Sequence, residues 1–116
     1  MFANTLTLNL TTDIVLTRRN QDKYGSEYVY RSATESATLL IRQSTTVQKD
    51  GRVFNSFNLM VEHVVYATAS TVERTNTASV TVRFEQGASL TSTSEYATAL
   101  FEQANALMSG LIQGEC

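Results

Sequence analysis

The sequence predicts an α+β fold: an N-terminal β-hairpin, a five-stranded antiparallel sheet and a C-terminal helix. Three observations carry this. Two long runs, Ala37 to Thr46 and Val53 to Tyr66, alternate apolar and polar residues around Lys49-Asp50-Gly51. Shorter alternating runs flank them on both sides. From Ser94 the apolar period lengthens from two residues to that of a helix.

Thr5-Leu6-Thr7-Leu8-Asn9-Leu10 alternates strictly, and Ile14-Val15-Leu16-Thr17 resumes after the break at Thr11-Thr12-Asp13. This reads as a short hairpin. Arg18 to Gly25 is polar and reads as a loop. Ser26 to Arg31 is the next strand, followed by a loop through Glu35.

In the long hairpin one parity is apolar: Leu39 and Ile41, then Phe57, Leu59, Val61 and Val65. The other carries Thr38, Arg42 and Ser44, then Ser56, Asn58 and Glu62. Directly opposed residues share a face, so the loop must hold an odd number of residues. A three-residue loop Lys49-Asp50-Gly51, with Gly51 left-handed, satisfies this. It sets Arg42 opposite Asn58, Leu40 opposite Met60 and Thr38 opposite Glu62.

Thr68 to Asn76 is small and polar and reads as a loop. Thr77 to Gln86 alternates again, with Val80, Val82 and Phe84 on one side and Ser79, Thr81, Arg83 and Glu85 on the other, until Gly87. Then Ala97, Leu100, Phe101, Ala104, Leu107, Met108 and Leu111 form one helical stripe. Ser92 or Thr93 can cap it, Glu95 suits its first turn, and Gly110 or Gly114 can end it. Such a helix of about 18 residues is about 27 Å long and covers part of one sheet face. The simplest way to bury the rest is a second copy, the helix crossing onto a dimer partner.

The 116 residues fit one domain spanning 1–116. With 42% hydrophobic and 17% charged residues the chain is globular rather than disordered. A net charge of −2 argues against a bulk electrostatic grip on nucleic acid or membrane, though not against a local basic patch. Only two of the nine basic residues are Lys, and Arg suits bidentate phosphate contacts. The one cysteine, Cys116, excludes an internal disulfide. The first residues do not read as a signal peptide, and no apolar run is long enough for a membrane helix. With one His and five scattered Gly there is no metal set, no Cys-His pair and no phosphate loop. An enzyme, a cofactor and a small-molecule substrate are therefore not expected.

The layout resembles the coat proteins of single-stranded RNA bacteriophages, the levivirus-like group. The resemblance runs over nearly the whole chain in length and element order. Its most specific strings are Ile41-Arg42-Gln43-Ser44-Thr45 and Met60-Val61-Glu62-His63-Val64. It implies a homodimer whose two sheets join edge to edge, with helices lying over the partner. Such dimers assemble into an icosahedral shell around genomic single-stranded RNA, in a virion built in the bacterial cytoplasm. In several members the inner sheet also binds an RNA stem-loop and represses translation. Carried over by position, the RNA-facing set is Thr38, Leu40, Arg42 and Ser44, then Asn58, Met60 and Glu62, then Ser79, Thr81 and Arg83. Val29 and Arg31 adjoin it, and the loop Thr68 to Asn76 corresponds to the one that meets at the shell's symmetry axes. The chain departs from relatives that carry Lys where Met60 stands and an aromatic base-stacker near Ser79. Selective stem-loop binding is accordingly expected to be weaker here. The segment Leu111 to Cys116 is also shorter than the usual second helix.

Each candidate has a plainer reading. Arg42 and Arg83 either meet RNA phosphate or pair across strands with Glu62 or Glu85. Thr38, Ser44, Asn58 and Thr81 either hydrogen-bond RNA or satisfy a solvated face. Tyr28 and Tyr30 fit packing better than base stacking, and His63 fits a buried, hydrogen-bonded histidine. Cys116 is either an intersubunit disulfide or a mobile terminal thiol. Two other functions share the pattern: an extracellular fibre or pilus-type subunit, and a small RNA-binding regulator that does not assemble.

Overall fold

The computed structural model describes residues 3–8, 10, 13–22 and 24–114. Its strands are β1 (Thr5–Leu8), β2 (Ile14–Gln21), β3 (Gly25–Arg31), β4 (Glu35–Val47), β5 (Val53–Val65) and β6 (Arg74–Glu85), followed by helix α1 (Leu90–Ile112). They form one six-stranded sheet in the order β1-β2-β3-β4-β5-β6, every pair antiparallel. The expected five-stranded sheet with a separate hairpin is therefore corrected. The hairpin is the sheet's outer edge, because β2 continues past Thr17 and pairs with β3.

That continuation also overturns the loop expected from Arg18. The register shifts between Arg18 and Asn20, a bulge that gives Arg19 its own place. Arg19 there forms an ion pair with Glu27. The polar composition that suggested a loop belongs to a strand in which Arg19 pairs with a carboxylate and Arg18 hydrogen-bonds to Tyr28 and Asn4.

The β4–β5 hairpin has the register that face-matching requires: Arg42 opposite Asn58, Leu40 opposite Met60, Thr38 opposite Glu62. Gly51 sits at φ 86°, a left-handed conformation that costs glycine little. Gln48 and Arg52 close the three-residue loop, the Gln48 amide donating to the Arg52 carbonyl at 2.8 Å.

One sheet face is apolar. Leu6, Leu8, Ile14, Leu16, Tyr28, Tyr30, Ala37, Leu39, Ile41 and Val61 share it, and the sheet curls around this cluster. Leu16 and Tyr28 are fully buried. The Tyr28 hydroxyl donates to the Ala3 carbonyl at 2.7 Å and accepts from Arg18 Nη2 at 3.1 Å. Tyr28 is thus a core residue, and Tyr30 packs half-buried against it.

The burial stops at β4. On the same face of β5, Leu59 is 37% exposed. The half-buried Val80 and Val82 of β6 stand opposite Leu59 and Phe57.

Helix α1 begins earlier than its apolar stripe suggested. Ser89 is the N-cap, its hydroxyl accepting from the Ser92 amide at 3.2 Å, so Ser92 and Thr93 lie inside the helix. Its first turn holds no acidic residue, and Glu95 lies beyond it. The early start follows from Gly87, whose φ of 92° turns the chain straight out of β6. At the other end Gly114, at φ 93°, follows the C-cap Gln113. No residue of α1 is buried. A gap of about 310 Å³ separates its first half from the sheet, lined by Phe57, Val82, Phe84, Leu90, Ala97 and Phe101 among others. The Cα radius of gyration is 17.2 Å, against about 13 Å for a compact chain of this length.

Candidate nucleic-acid interface

All ten sequence-predicted residues lie on the polar face of β4, β5 and β6. Alternation along each strand puts them there, and the register sorts them into rows. Leu40, Met60 and Ser79 form one row. Arg42, Asn58 and Thr81 form the next. Ser44, Ser56 and Arg83 form a third, and Thr38 and Glu62 share a fourth with Thr77. Val29 and Arg31 extend the face on β3, opposite Thr38 and Ser36. Arg42, Ser44, Ser79, Thr81 and Arg83 are exposed, and the other five are half-buried.

The rows are tied internally. Ser44 and Ser56 hydroxyls are 2.7 Å apart. Asn58 Nδ2 donates to Thr81 Oγ1 at 2.8 Å and to the Val80 carbonyl at 3.1 Å. These bonds hold the polar groups in fixed positions.

The expected alternative for the arginines, pairing with Glu62 or Glu85, is not what forms. Among the described residues neither Arg42 nor Arg83 has an ion pair. Glu85 is taken by Arg52, whose Nε and Nη2 donate to its two carboxylate oxygens, both at 2.9 Å. These hydrogen bonds, then the charge, raise the Arg52 pKa above its ordinary value. They likewise hold the Glu85 carboxyl below the usual carboxylate range. Arg83 instead lies over the Phe54 ring, 4.1 Å from its centroid, with Arg52 at 5.2 Å from the same ring.

Phe54, Ser56 and Arg52 are the part of this face that sequence reasoning left out of the site. The available signal was parity: Phe54 is a large aromatic among polar residues, which calls for a polar or cationic companion. Gly25 is another omission. A Cβ there would lie 2.2 Å from the Ile41 carbonyl oxygen and 3.1 Å from Arg42 Cδ and Nη1. Only glycine lets β3 approach β4 so closely beneath the Arg42 side chain.

His63 is a partial correction. It is hydrogen-bonded, with Nε2 2.9 Å from Glu35 Oε2, but its side chain is 39% exposed. It lies where the apolar face runs out of cover. Arg18 and Arg19, the other basic group near the sheet, are held by Tyr28, Asn4 and Glu27. Lys23 and Cys116 lie outside the described residues. The small polar loop is shorter than expected, since β6 begins at Arg74. Among the described residues no cluster of His, Cys, Asp and Glu could hold a metal ion, and no helix is long and apolar enough to cross a membrane.

Comparison with curated proteins gives no match. The family model described as "Phage phiCb5, coat protein" matches residues 3–85. Those bounds take in all six strands and stop at the last residue of β6, with α1 beyond them. The polar rows and the sheet that carries them therefore lie wholly within the matched stretch, and the chain belongs to this family of phage coat proteins.

Proposed function

We propose that this coat subunit works as a homodimer, that dimers close into an icosahedral shell, and that the polar face meets single-stranded RNA inside it. The capsid role and residence in the virion follow from the family, which is structural rather than enzymatic. The finer reading rests above all on the unburied helix. Leu100, Phe101, Leu107, Met108 and Leu111 of α1 are between 38% and 66% exposed. Covering what remains exposed of each such side chain would stabilise an assembly by roughly 1 kcal/mol, about half of the gain from burying a fully exposed one.

The sheet offers the matching surface. The apolar face of β5 and β6 is uncovered at Leu59, and among the described residues no strand lies on the outer side of β6. An edge of 12 residues without proline supports continuation into a second sheet. A partner's α1 lying over Leu59 and Val80 would cover that face, while the partner's β6 pairs with this edge.

The RNA reading is supported by two exposed arginines without carboxylate partners, set among hydroxyl and amide groups on one face. Met60 and Leu40 at its centre add no charge, which favours packaging over tight stem-loop selection. A coat family favours this over a fibre or pilus-type subunit and over a regulator that does not assemble.

Electron microscopy of the purified full chain tests assembly: closed particles are expected, and fibres or only dispersed subunits would contradict the reading. Filter binding at two salt concentrations tests the RNA face. Arg42→Ala should lower the slope of log affinity against log salt by about 0.7–0.9, one phosphate contact. An unchanged slope would place RNA elsewhere.

A further inference from the structure

We propose that Arg52 is a positioning residue that keeps Arg83 available to an RNA phosphate by occupying Glu85; the inference rests on the polar face being the RNA face.

Arg83 and Glu85 lie two residues apart on one strand and point to the same face, so their Cα atoms are separated by about 7 Å. The Arg83 guanidinium extends toward Glu85, because it lies over Phe54, and Phe54 stands directly opposite Glu85. A free Glu85 carboxylate would be within easy reach of that guanidinium. Pairing there would cancel the charge that a phosphate needs.

Arg52 prevents this. It enters from the far side of the hairpin loop, where its backbone amide donates to Asp50 Oδ1 at 3.0 Å. Both Glu85 oxygens are engaged by its guanidinium in a two-pronged pair. Phe54 does the complementary work, giving Arg83 a ring to lie on that competes for no hydrogen-bond donor. Arg83 keeps its N–H groups free of carboxylates, on a stem that starts in the row of Ser44 and Ser56. A cation held over a ring on this polar face suits a phosphodiester oxygen.

The test uses the full chain and a fluorescein-labelled single-stranded RNA oligonucleotide, with anisotropy followed over a range of salt. Arg83→Gln should lower the salt slope by about 0.7–0.9. Arg52→Gln should lower it by a similar amount, although Arg52 itself gives no phosphate contact, because Glu85 then captures Arg83. Arg52→Gln combined with Glu85→Gln should restore the wild-type slope. Arg52→Gln combined with Glu102→Gln carries the same net charge and should not restore it. An Arg52→Gln slope equal to wild type, or equal restoration by both double variants, overturns the inference while leaving the RNA face intact. No effect of Arg83→Gln overturns the RNA reading at this row instead.

Discussion

Asn58 donates its side-chain amide to the Thr81 hydroxyl at 2.8 Å, directly across the β5–β6 ladder. With the second bond to Val80, its donors are spent inside the protein. What Asn58 offers a ligand is its carboxamide oxygen, while Arg42 beside it supplies donors. Asn58→Ala should lower stability by about 1 kcal/mol, the net worth of such bonds at a half-buried position. A urea titration measures it, and an unchanged midpoint would mean the bonds are not held in solution.

Gly25→Ala should be more damaging. The added methyl meets the Ile41 carbonyl, a backbone atom in the middle of a ladder that cannot move aside cheaply. A cost of about 1–3 kcal/mol is expected. The same substitution displaces Arg42, so RNA affinity should fall with stability. Wild-type stability on denaturant unfolding would contradict the close approach of β3 and β4.

How much of this was legible in the sequence depended on whether a residue's face or its partner decided the outcome. The β4–β5 register was legible because an odd loop was the one way to keep Ile41 and Leu59 together. The site rows followed from that register. The cap of α1 was not: Leu90 lies one heptad before Ala97 on the same helix face, but the positions between them on that face, Thr93 and Ser94, are polar and interrupt the apolar period. Nor was the continuation of β2, because the partners that keep Arg18 and Arg19 in a strand, Tyr28 and Glu27, come from β3. The Arg52–Glu85 pair spans 33 residues and was invisible for the same reason.

That pair has a pH signature. The folded-state pKa of Glu85 is lowered, first by the Arg52 hydrogen bonds. Its contribution to stability is therefore present above the unfolded-state pKa and lost as pH falls through the lower folded-state one. Both groups are solvent-exposed, so the effect is small and screened by salt. An NMR titration should show the Glu85 carboxyl titrating below an ordinary glutamate, and Arg52→Gln should bring it back up. Identical midpoints in the two proteins would mean the pair does not persist in solution.

Leu100→Asp and Leu107→Asp should each leave the sheet folded but block association. A charge would have to enter an apolar seam without a partner, at a cost of several kcal/mol. Circular dichroism reports the fold and size-exclusion chromatography the association. Normal assembly of both variants would remove α1 from the interface.

Sedimentation velocity of the purified wild-type chain tests the dimeric coat subunit most directly. Helix α1 without a buried residue and β6 with an open edge predict dimers and shell-sized particles, with no folded monomer at any concentration measured. A stable, folded monomer as the main species would contradict the account.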